Sequence, residues 1–391
     1  MLAHSPPLPL IIDYGGQGCN TGVEDIVLAL EQRERVHRIR LRLPVPIMQR
    51  LITVIEGEYL ILEYLIMETP YENESTDLIL TETIQAPRLR HVALKGFAIP
   101  IRHRLHIPLT AVGLVTLSLF IKHPSAYLRP NTLLRWISSL PQLDTLVFWI
   151  LFPVSNRDVE RQLMQTPITT HVTLPNLIKL TFGAASAYME AFVRYITTPR
   201  LEKLDIGFSN QLTFSIPHLR QFMNTAENLR FNHARFRFYS KRVFIKMYPH
   251  EEAKTHTLSI AVDCLHLDWQ VSSVAQISNA LSQKFSAVEH LTFQHKAHNL
   301  SSEEHNTVDR TEWRKLLGSF SSLKTLRIPV RLGGEFSRCL RWDDGEPSLE
   351  LLPKLQELIF SGSRAVRDSD AFTQFTDARK NAGRPVTLTR G

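Results

Sequence analysis

Cysteine is scarce in this sequence. Its 391 residues include only Cys19, Cys264 and Cys339, which lie far apart along the chain. Three scattered cysteines cannot form a disulfide framework, so we expect a reducing compartment, either the cytoplasm or the nucleus. Glycine and proline, with 16 and 22 residues, make up about a tenth of the chain. This composition excludes collagen-like and low-complexity architectures.

Long apolar runs are missing as well. The longest strongly apolar stretch extends from Leu146 to Val154, whereas a helix that crosses a bilayer needs about 20 residues. The N-terminus has no basic segment and prolines interrupt its apolar run, so we expect no secretory signal. With 43% hydrophobic residues, the chain can still bury a sizeable core. These features predict a soluble intracellular protein.

Motifs that carry catalysis are also absent. The sequence contains neither the phosphate-binding G-x-x-x-x-G-K-[ST] nor the nucleophile motif G-x-S-x-G. The glycines of segment 15–18 precede Cys19 and no lysine, and the acidic segment 343–346 lacks the alternating ligands of an EF-hand. We therefore expect a protein that is not an enzyme and that holds neither a cofactor nor a metal ion.

What the sequence does contain is a recurring pattern: an anchor, usually leucine, two variable residues, a second anchor, one variable residue and an apolar residue. The first anchors of its copies are Val36, Leu62, Leu89, Leu114, Leu143, Leu177, Leu201, Val288, Leu323 and Leu355. The last two anchors of each copy alternate with a variable residue, as expected of a strand with one buried face. Apolar residues at helical spacing lie between the strands, which predicts helices over 22–33, 132–140, 185–196, 274–285 and 311–320.

One strand and one helix of this size cannot bury both of their apolar faces alone, so neighbouring units must stack. The sequence therefore predicts an α/β fold, a leucine-rich-repeat-like solenoid (horseshoe) with parallel strands on one side and helices on the other. We expect about thirteen units in a single domain spanning 1–391. Its parts are an N-terminal edge strand and helix at 1–35, regular repeats at 36–228, irregular repeats at 229–287 and C-terminal repeats at 288–391.

The irregular part fills the long gap between the copies that begin at Leu201 and Val288. Two weaker strands are predicted there, one within 229–238 and one at 264–269. Segment 229–248 departs from the unit, because two alternating stretches flank Ser240, Lys241 and Arg242. We expect a hairpin-like insertion at this place.

A proline precedes several of the strands, at Pro87, Pro141, Pro175, Pro199 and Pro353. This P-x-L-x-x-L-x-apolar unit resembles the fungal F-box/leucine-rich-repeat family, and segments 6–13, 198–204, 309–317 and 377–386 are similar to that family too. The resemblance implies the substrate-binding repeat region of a ubiquitin-ligase adaptor. An adaptor of this kind contacts the Skp1–cullin complex through an F-box, for which the N-terminal strand leaves no room, so we expect that module outside this chain.

Two clusters of residues suggest chemistry. Cys264, His266 and Asp268 would share one face of the predicted strand, so a hydrolase or metalloenzyme is an alternative. Neighbouring side chains of this row would, however, lie about 7 Å apart, which is too far for direct hydrogen bonds. His295, His298, Glu303, Glu304 and His305 are ligand-type residues in a short window. Their spacing matches no zinc pattern, and we expect a solvated loop there.

The variable residues of the strands should form the open face of the sheet and bind a partner. They mix cations with aromatic residues, the types enriched at binding hot spots, and they favour an acidic or phosphorylated protein. The predicted partner-binding residues are Arg38, Arg40, Arg42, Tyr64, Lys95, Phe120, Trp149, Lys179, Lys203, Arg235, Arg237, Tyr239, His266, His290 and Arg327. For Phe120, Val147 and Trp149, burial under the segment 153–167 is an equal alternative.

Nucleic-acid binding is a third hypothesis. The chain has a formal net charge of +7, and Arg33, Arg35, Arg38, Arg40 and Arg42 form its densest basic cluster. Nucleic acid would need such residues aligned along a groove with aromatic side chains between them. A solvated surface explains the cluster better, so we expect no nucleic-acid partner.

Overall fold

The computed structural model describes residues 8–15, 22–69, 78–79, 84–98, 111–209, 211–296, 308–341, 351–361 and 369–390. The fold is α/β and is built on a large, mostly parallel sheet, so the predicted α/β class is confirmed, whereas the solenoid (horseshoe) arrangement stays a prediction. The chain divides into two compact units, Met1–Leu201 and Glu202–Gly391. Each unit is described by itself.

The first unit contains seven parallel strands that lie side by side in chain order among the described residues. They are β1 (Leu10–Gly15), β2 (Val36–Arg42), β4 (Tyr64–Glu68), β7 (His91–Lys95), β9 (Thr116–Ile121), β10 (Thr145–Ile150) and β12 (Lys179–Gly183). Short strands form three separate parallel pairs outside this sheet. These are β3 (Gly57–Glu58) with β6 (Ile84–Gln85), β5 (Leu78–Ile79) with β8 (Phe97–Ala98), and β11 (Val172–Thr173) with β13 (Ile196–Thr197).

Helices connect these strands. They are α1 (Val23–Glu31), α2 (Val45–Ile55), α3 (Pro130–Ile137), α4 (Asn156–Gln165) and α5 (Ser186–Val193). In α2 the buried residues Met48, Leu51, Ile52 and Ile55 follow the spacing of one helical face. The sequence prediction is thus confirmed at 22–33, 132–140 and 185–196, whereas α2 and α4 were not predicted.

The repeated anchors lie in register across the first unit. Leu65, Val92, Leu117, Leu146 and Leu180 are successive partners, and all are buried. The next anchors form a second row, namely Met67, Leu94, Leu119, Phe148 and Phe182. One face of the sheet therefore forms the core beneath the helices, and the variable residues lie on the other face.

The second unit repeats this arrangement with one interruption. Its strands are β14 (Lys203–Phe208), β15 (His233–Phe238), β16 (Arg242–Tyr248), β17 (Leu258–Asp263), β18 (His290–His295), β19 (Thr325–Pro329), β20 (Glu357–Ser361) and β21 (Thr387–Arg390). Their order in the sheet is β14-β17-β16-β15-β18-β19-β20-β21. Within the described residues of this unit only β16 runs antiparallel to its neighbours. The predicted hairpin is confirmed as β15–β16.

The helices of the second unit cover the apolar side of its strands. They are α6 (Pro217–Thr225), α7 (Leu267–Ala280), α8 (Ser282–Phe285), α9 (Arg310–Gly318), α10 (Gly333–Leu340) and α11 (Ser369–Asn381). The predictions at 274–285 and 311–320 correspond to α7–α8 and α9. Trp313 of α9 is fully buried and contacts the rings of Phe238, Phe293 and Phe336. Within the described residues, no helix combines the length and the apolar character needed to span a bilayer.

The strand predicted at 264–269 is wrong. The strand in this part of the chain, β17, ends at Asp263, just before the predicted segment, and α7 begins at Leu267. The apolar stretch 258–262 is buried at every position, so it lacks the alternation that marks a one-faced strand. The sequence suggests a strand at 264–269 because Leu265 and Leu267 alternate with polar residues, but Leu267 already belongs to α7.

Candidate partner-binding surface

The open face of the first unit is made of the variable residues of its strands. In β4, β7, β9 and β10 every second residue is half-exposed, and the residues between them are buried. Arg38, Arg40, Tyr64, Lys95, Phe120, Trp149 and Lys179 lie on this face half-exposed, and Arg42 lies there exposed. Their placement follows the prediction from the sequence.

Acidic side chains compensate two of the predicted arginines. A guanidinium nitrogen of Arg40 lies 3.6 Å from a carboxylate oxygen of Asp13 on β1. The corresponding distance from Arg42 to Glu68 on β4 is 2.8 Å. The charges of Arg40 and Arg42 are therefore compensated within the protein.

Aromatic rings occupy the same face. The rings of Tyr64 and His91 stack with centroids 4.4 Å apart, and the guanidinium carbon of Arg38 lies 5.4 Å from the Tyr64 centroid. Burial lowers the pKa of His91, and the nearby Asp144 carboxylate partly opposes this effect. These contacts order Tyr64 between a cation and an imidazole, a geometry that favours a rigid recognition surface.

Trp149 is held by a close contact with a neighbouring strand. A Cβ atom at Gly183 of β12 would lie 2.3 Å from Cδ2 of the indole. The glycine therefore leaves the space in which the indole of Trp149 lies against β12. Phe120 and Val147 are half-exposed like Trp149, and the Lys95 amine lies 5.9 Å from the centroid of Phe120.

The open face of the second unit carries a group of four cations, here named the cation cluster: Lys203, Arg235, Arg237 and Lys246. Arg235 on β15 and Lys246 on β16 are direct cross-strand partners. Burial lowers the pKa of Lys246, and the charges of Arg237, Lys203 and Arg235 lower it further, against the opposing effect of Asp205. The carboxylate of Asp205 is itself 2.7 Å from Nε2 of His256. Positive charge is thus concentrated here.

Neutral groups hold the cation cluster in place. Nε of Arg237 donates a hydrogen bond to Oε1 of Gln294 at 2.9 Å. The guanidinium of Arg235 lies 5.1 Å from the ring centroid of Tyr248, and its Nε is buried without a hydrogen-bond partner. The amine of Lys246 lies 5.8 Å from the centroid of Phe244. None of these contacts supplies a negative charge.

The remaining predicted residues of this unit differ in their surroundings. His290 and Arg327 lie on the open face beside a cavity of about 140 Å³ that His233 and Glu251 also line. Arg327 pairs with Glu251 at 3.5 Å. Tyr239 comes directly after the end of β15, and its ring packs edge-on against Phe244 at 5.7 Å.

A larger cavity, of about 600 Å³, lies at the carboxyl ends of β14 and β17 and is here named the edge pocket. It is lined by Gln211, Leu212, Lys241, Arg242, Asp263, Cys264, Leu265 and Trp269. Leu212, Leu265 and Trp269 are 45%, 57% and 40% exposed, and they are three of the four exposed large apolar side chains among the described residues of this unit. Ligands of open α/β sheets bind at carboxyl strand ends where the strand order reverses.

The row of Cys264, His266 and Asp268 does not exist, because the strand that would align them is absent. Cys264 is buried after the end of β17, His266 occupies the N-cap position of α7, and Asp268 lies in the first turn of that helix. Burial and the nearby charge of Asp263 raise the pKa of Cys264 to about 12, so the thiol is protonated at neutral pH and is a poor nucleophile. His266 is therefore corrected as well, because it does not lie on the open face.

Among the described residues, no three His, Cys, Asp or Glu side chains lie close enough together to hold a metal ion. Of the second ligand-type window, His295 lies at the end of β18 and the other members lie outside the described residues, as does the acidic segment 343–346. The sequence-based list omitted Phe244, Lys246 and the apolar rim of the edge pocket. The alternation of residues 243–247 could have identified Phe244 and Lys246. The rim could not be identified without knowing that β17 ends at Asp263.

No known protein-family model and no curated protein matches this chain.

Proposed function

We propose that this chain is a non-enzymatic recognition module that binds an acidic or phosphorylated partner protein on the open face of its sheet. The observation that carries the proposal is the cross-strand pair of Arg235 and Lys246. Like charges directly opposite each other destabilise a strand pair. An anionic partner would offset this repulsion, and retaining the pair is reasonable if binding requires it.

The rest of the open face supports the same proposal. Its half-exposed residues combine arginine and lysine with Tyr64, Phe120 and Trp149. Aromatic and arginine side chains dominate binding energy at protein interfaces, and they lose little conformational freedom where they are already ordered. A carboxylate or phosphate forms charge-assisted hydrogen bonds with such cations.

We further propose that the strand–helix units belong to a leucine-rich-repeat-like solenoid and that the chain acts as an F-box-type adaptor. The in-register anchor rows of each unit support the repeat reading. The resemblance of the proline-led repeats to the fungal F-box/leucine-rich-repeat family supports the adaptor reading. In that role the chain would present its bound protein to the Skp1–cullin ubiquitin ligase through an F-box outside this sequence.

Exchange of Lys246 for glutamate tests the recognition role. Lys246→Glu replaces a like-charge pair by an opposite-charge pair, so we expect the free energy of unfolding to rise by about 0.5 kcal/mol. Binding should nevertheless fall. The measurement is affinity purification with mass spectrometry from cell extract, with the wild-type chain and each variant as bait, alongside chemical denaturation.

Lys380→Glu is the matched control, because Lys380 is exposed and lies on the helix α11 and not on a strand of the open face. We expect proteins that the wild type and Lys380→Glu both retain and that Lys246→Glu loses despite its unchanged or greater stability. Identical protein sets from all three baits would refute recognition through the open face.

A further inference from the structure

The edge pocket and the cation cluster lie on one continuous surface. Arg242 lines the edge pocket, and its guanidinium carbon lies 5.7 Å from the ring centroid of Phe244. The amine of Lys246 lies 5.8 Å from the same centroid on the other side. These three side chains follow one another along the open face of β16. A ligand seated in the pocket can therefore reach the cation cluster without leaving the surface.

The walls of the edge pocket are fixed by two glutamines of α7. Buried Gln270 donates hydrogen bonds to the carbonyl oxygens of Tyr239 and Cys264, at 2.8 and 2.9 Å. Gln276 accepts from the amide of Phe214 at 3.2 Å and donates to the carbonyl oxygen of Leu212 at 3.0 Å. One helix thus holds the hairpin turn, the loop after β17 and the loop after β14. A preformed pocket loses little entropy when a ligand enters.

Charge and polarity indicate what enters the pocket. Arg242 is paired with Asp263, whereas Lys241 is exposed at the rim. Leu212, Leu265 and Trp269 offer apolar surface to a bulky apolar group. A volume of about 600 Å³ is within the range of sites that hold one compact ligand. The adjoining cation cluster favours negative charge beside that group.

We propose that the second unit recognises a two-part peptide segment of the partner protein, in which a bulky apolar side chain fills the edge pocket and acidic residues cover the cation cluster. Arg242 and Lys246 are four positions apart on β16, a distance of about 13 Å in a strand. An extended ligand covers that distance in about four residues. The apolar and acidic parts should therefore be separated by about four positions. This inference rests on the proposed function and specifies its ligand.

Selection from a phage library of random twelve-residue peptides, with the full chain as bait, tests this motif. We expect the enriched peptides to carry acidic residues about four positions from a leucine, phenylalanine, tryptophan or methionine. One enriched peptide is then synthesised with a fluorescent label, and its affinity is measured by fluorescence anisotropy. Leu265→Ser and Trp269→Ser should each weaken binding at least tenfold, as should Lys246→Glu.

Matched variants separate the pocket from general effects. Leu388 is also an exposed leucine of this unit but lies on β21, so Leu388→Ser should leave the affinity unchanged. Replacing the apolar residue of the peptide by serine should weaken binding to the wild type. It should have little further effect on Trp269→Ser, because the same contact is already lost.

Each other outcome has a defined meaning. Enriched acidic peptides without an apolar residue, unaffected by Trp269→Ser but weakened by Lys246→Glu, would overturn the two-part motif and leave the proposed function intact. Apolar peptides insensitive to Lys246→Glu would overturn the charge component and with it the motif. Absence of any peptide that depends on Lys246 would count against the proposed function too. A wild-type dimer that Trp269→Ser converts to a monomer in sedimentation would assign the pocket to a second copy and overturn the inference.

Discussion

The side chain of Gly183 is a single hydrogen atom, and this small size leaves room for the indole of Trp149 on the open face of the first unit. An added methyl group at Gly183 would overlap the indole, since its Cβ would lie 2.3 Å from Cδ2. Gly183→Ala must therefore displace Trp149, and overpacking of this kind costs about 1–3 kcal/mol. We expect a lower free energy of unfolding in urea and a shifted tryptophan emission.

Two further variants identify the cause. A Cβ atom at Gly113 would meet nothing within 4 Å, so Gly113→Ala should cost far less than Gly183→Ala. In a Trp149→Ala background the obstacle is gone, and Gly183→Ala should then be nearly neutral. An equal loss of stability with and without the indole would contradict the steric explanation.

His233 is buried beside other cations, and neither of its ring nitrogens has a hydrogen-bond partner. Its pKa is lowered to about 4, mainly by burial and also by the charges of Arg235, His290 and Arg327, against the opposing effect of Glu251. The unfolded chain therefore binds a proton near pH 6.5 that the folded chain does not bind until about pH 4. Stability from this group is present above pH 6.5 and is lost as the pH falls toward 4. Between pH 7 and pH 5 we expect a loss of about 2 kcal/mol.

Urea denaturation of the wild type and of His233→Gln across this pH range measures the contribution. His91 and His295 also have lowered pKa values, mainly because of burial, so the variant should retain part of the slope. The difference between the two curves isolates His233. Parallel curves would show that this imidazole titrates alike in the folded and unfolded chains.

At the scale of the element, the prolines before the strands have a specific position. The amide of the first anchor bonds to the carbonyl three residues earlier, as from Leu143 to Leu140 at 3.2 Å and from Leu177 to Leu174 at 3.3 Å. Proline is thus the second residue of a β-turn, where its fixed φ is favoured. The same turn without proline occurs at 320–323, where Leu323 bonds to Phe320 at 3.3 Å.

Removing proline from one of these turns and introducing it into another tests that role. Pro141→Ala should lower the free energy of unfolding by roughly 0.5–1 kcal/mol, because the unfolded chain gains freedom. Ser321→Pro should raise it by a similar amount, since Ser321 is exposed at the equivalent position. Urea denaturation measures both changes. Destabilisation by Ser321→Pro would mean that this turn has a different backbone conformation.

The regular elements could be predicted because each strand has one buried face. Alternation predicted where β4, β7, β9 and β10 lie, although each of these strands begins two residues after the first anchor of its copy. The strand β17 could not be found in this way, because residues 258–262 are buried on both faces and periodicity disappears in such a strand. The reversal of strand order in the second unit is invisible to a repeat period, since it depends on how the β15–β16 hairpin pairs with distant strands.

Backbone hydrogen bonds between neighbouring strands extend past the ends of β4 and β7. The amide of Thr69 bonds to the carbonyl of Lys95 at 3.0 Å, and the amide of Gly96 bonds to that of Phe120 at 3.2 Å. Gly96 has φ of +83°, a conformation that glycine adopts without strain. The ladder of backbone hydrogen bonds therefore continues one residue beyond β4 and β7.

At the scale of the whole molecule, the net charge is +7, but the positive charges of the two open faces are compensated to different degrees. In the first unit Asp13 and Glu68 neutralise Arg40 and Arg42. In the second unit three other cations of the open face surround Lys246, and among the described groups that influence it only Asp205 opposes them. The sequence identified most of these residues but not their pairing, because which acid meets which base depends on the register of neighbouring strands.

This distribution leads to a prediction about nucleic acid. Phosphate binding needs cations whose charge is not already compensated, and Arg40 and Arg42 pair with the carboxylates of Asp13 and Glu68. At 150 mM salt we expect affinity for a single-stranded RNA or a DNA duplex no tighter than about 10⁻⁵ M, the range of non-specific binding. Arg38→Ala combined with Arg40→Ala should change the affinity less than twofold in fluorescence anisotropy.

Any binding at low salt should instead fall with Lys246→Glu, because the uncompensated charge lies in the cation cluster. Submicromolar affinity with a steep salt dependence that the double arginine variant abolishes would reassign the first unit to nucleic-acid recognition.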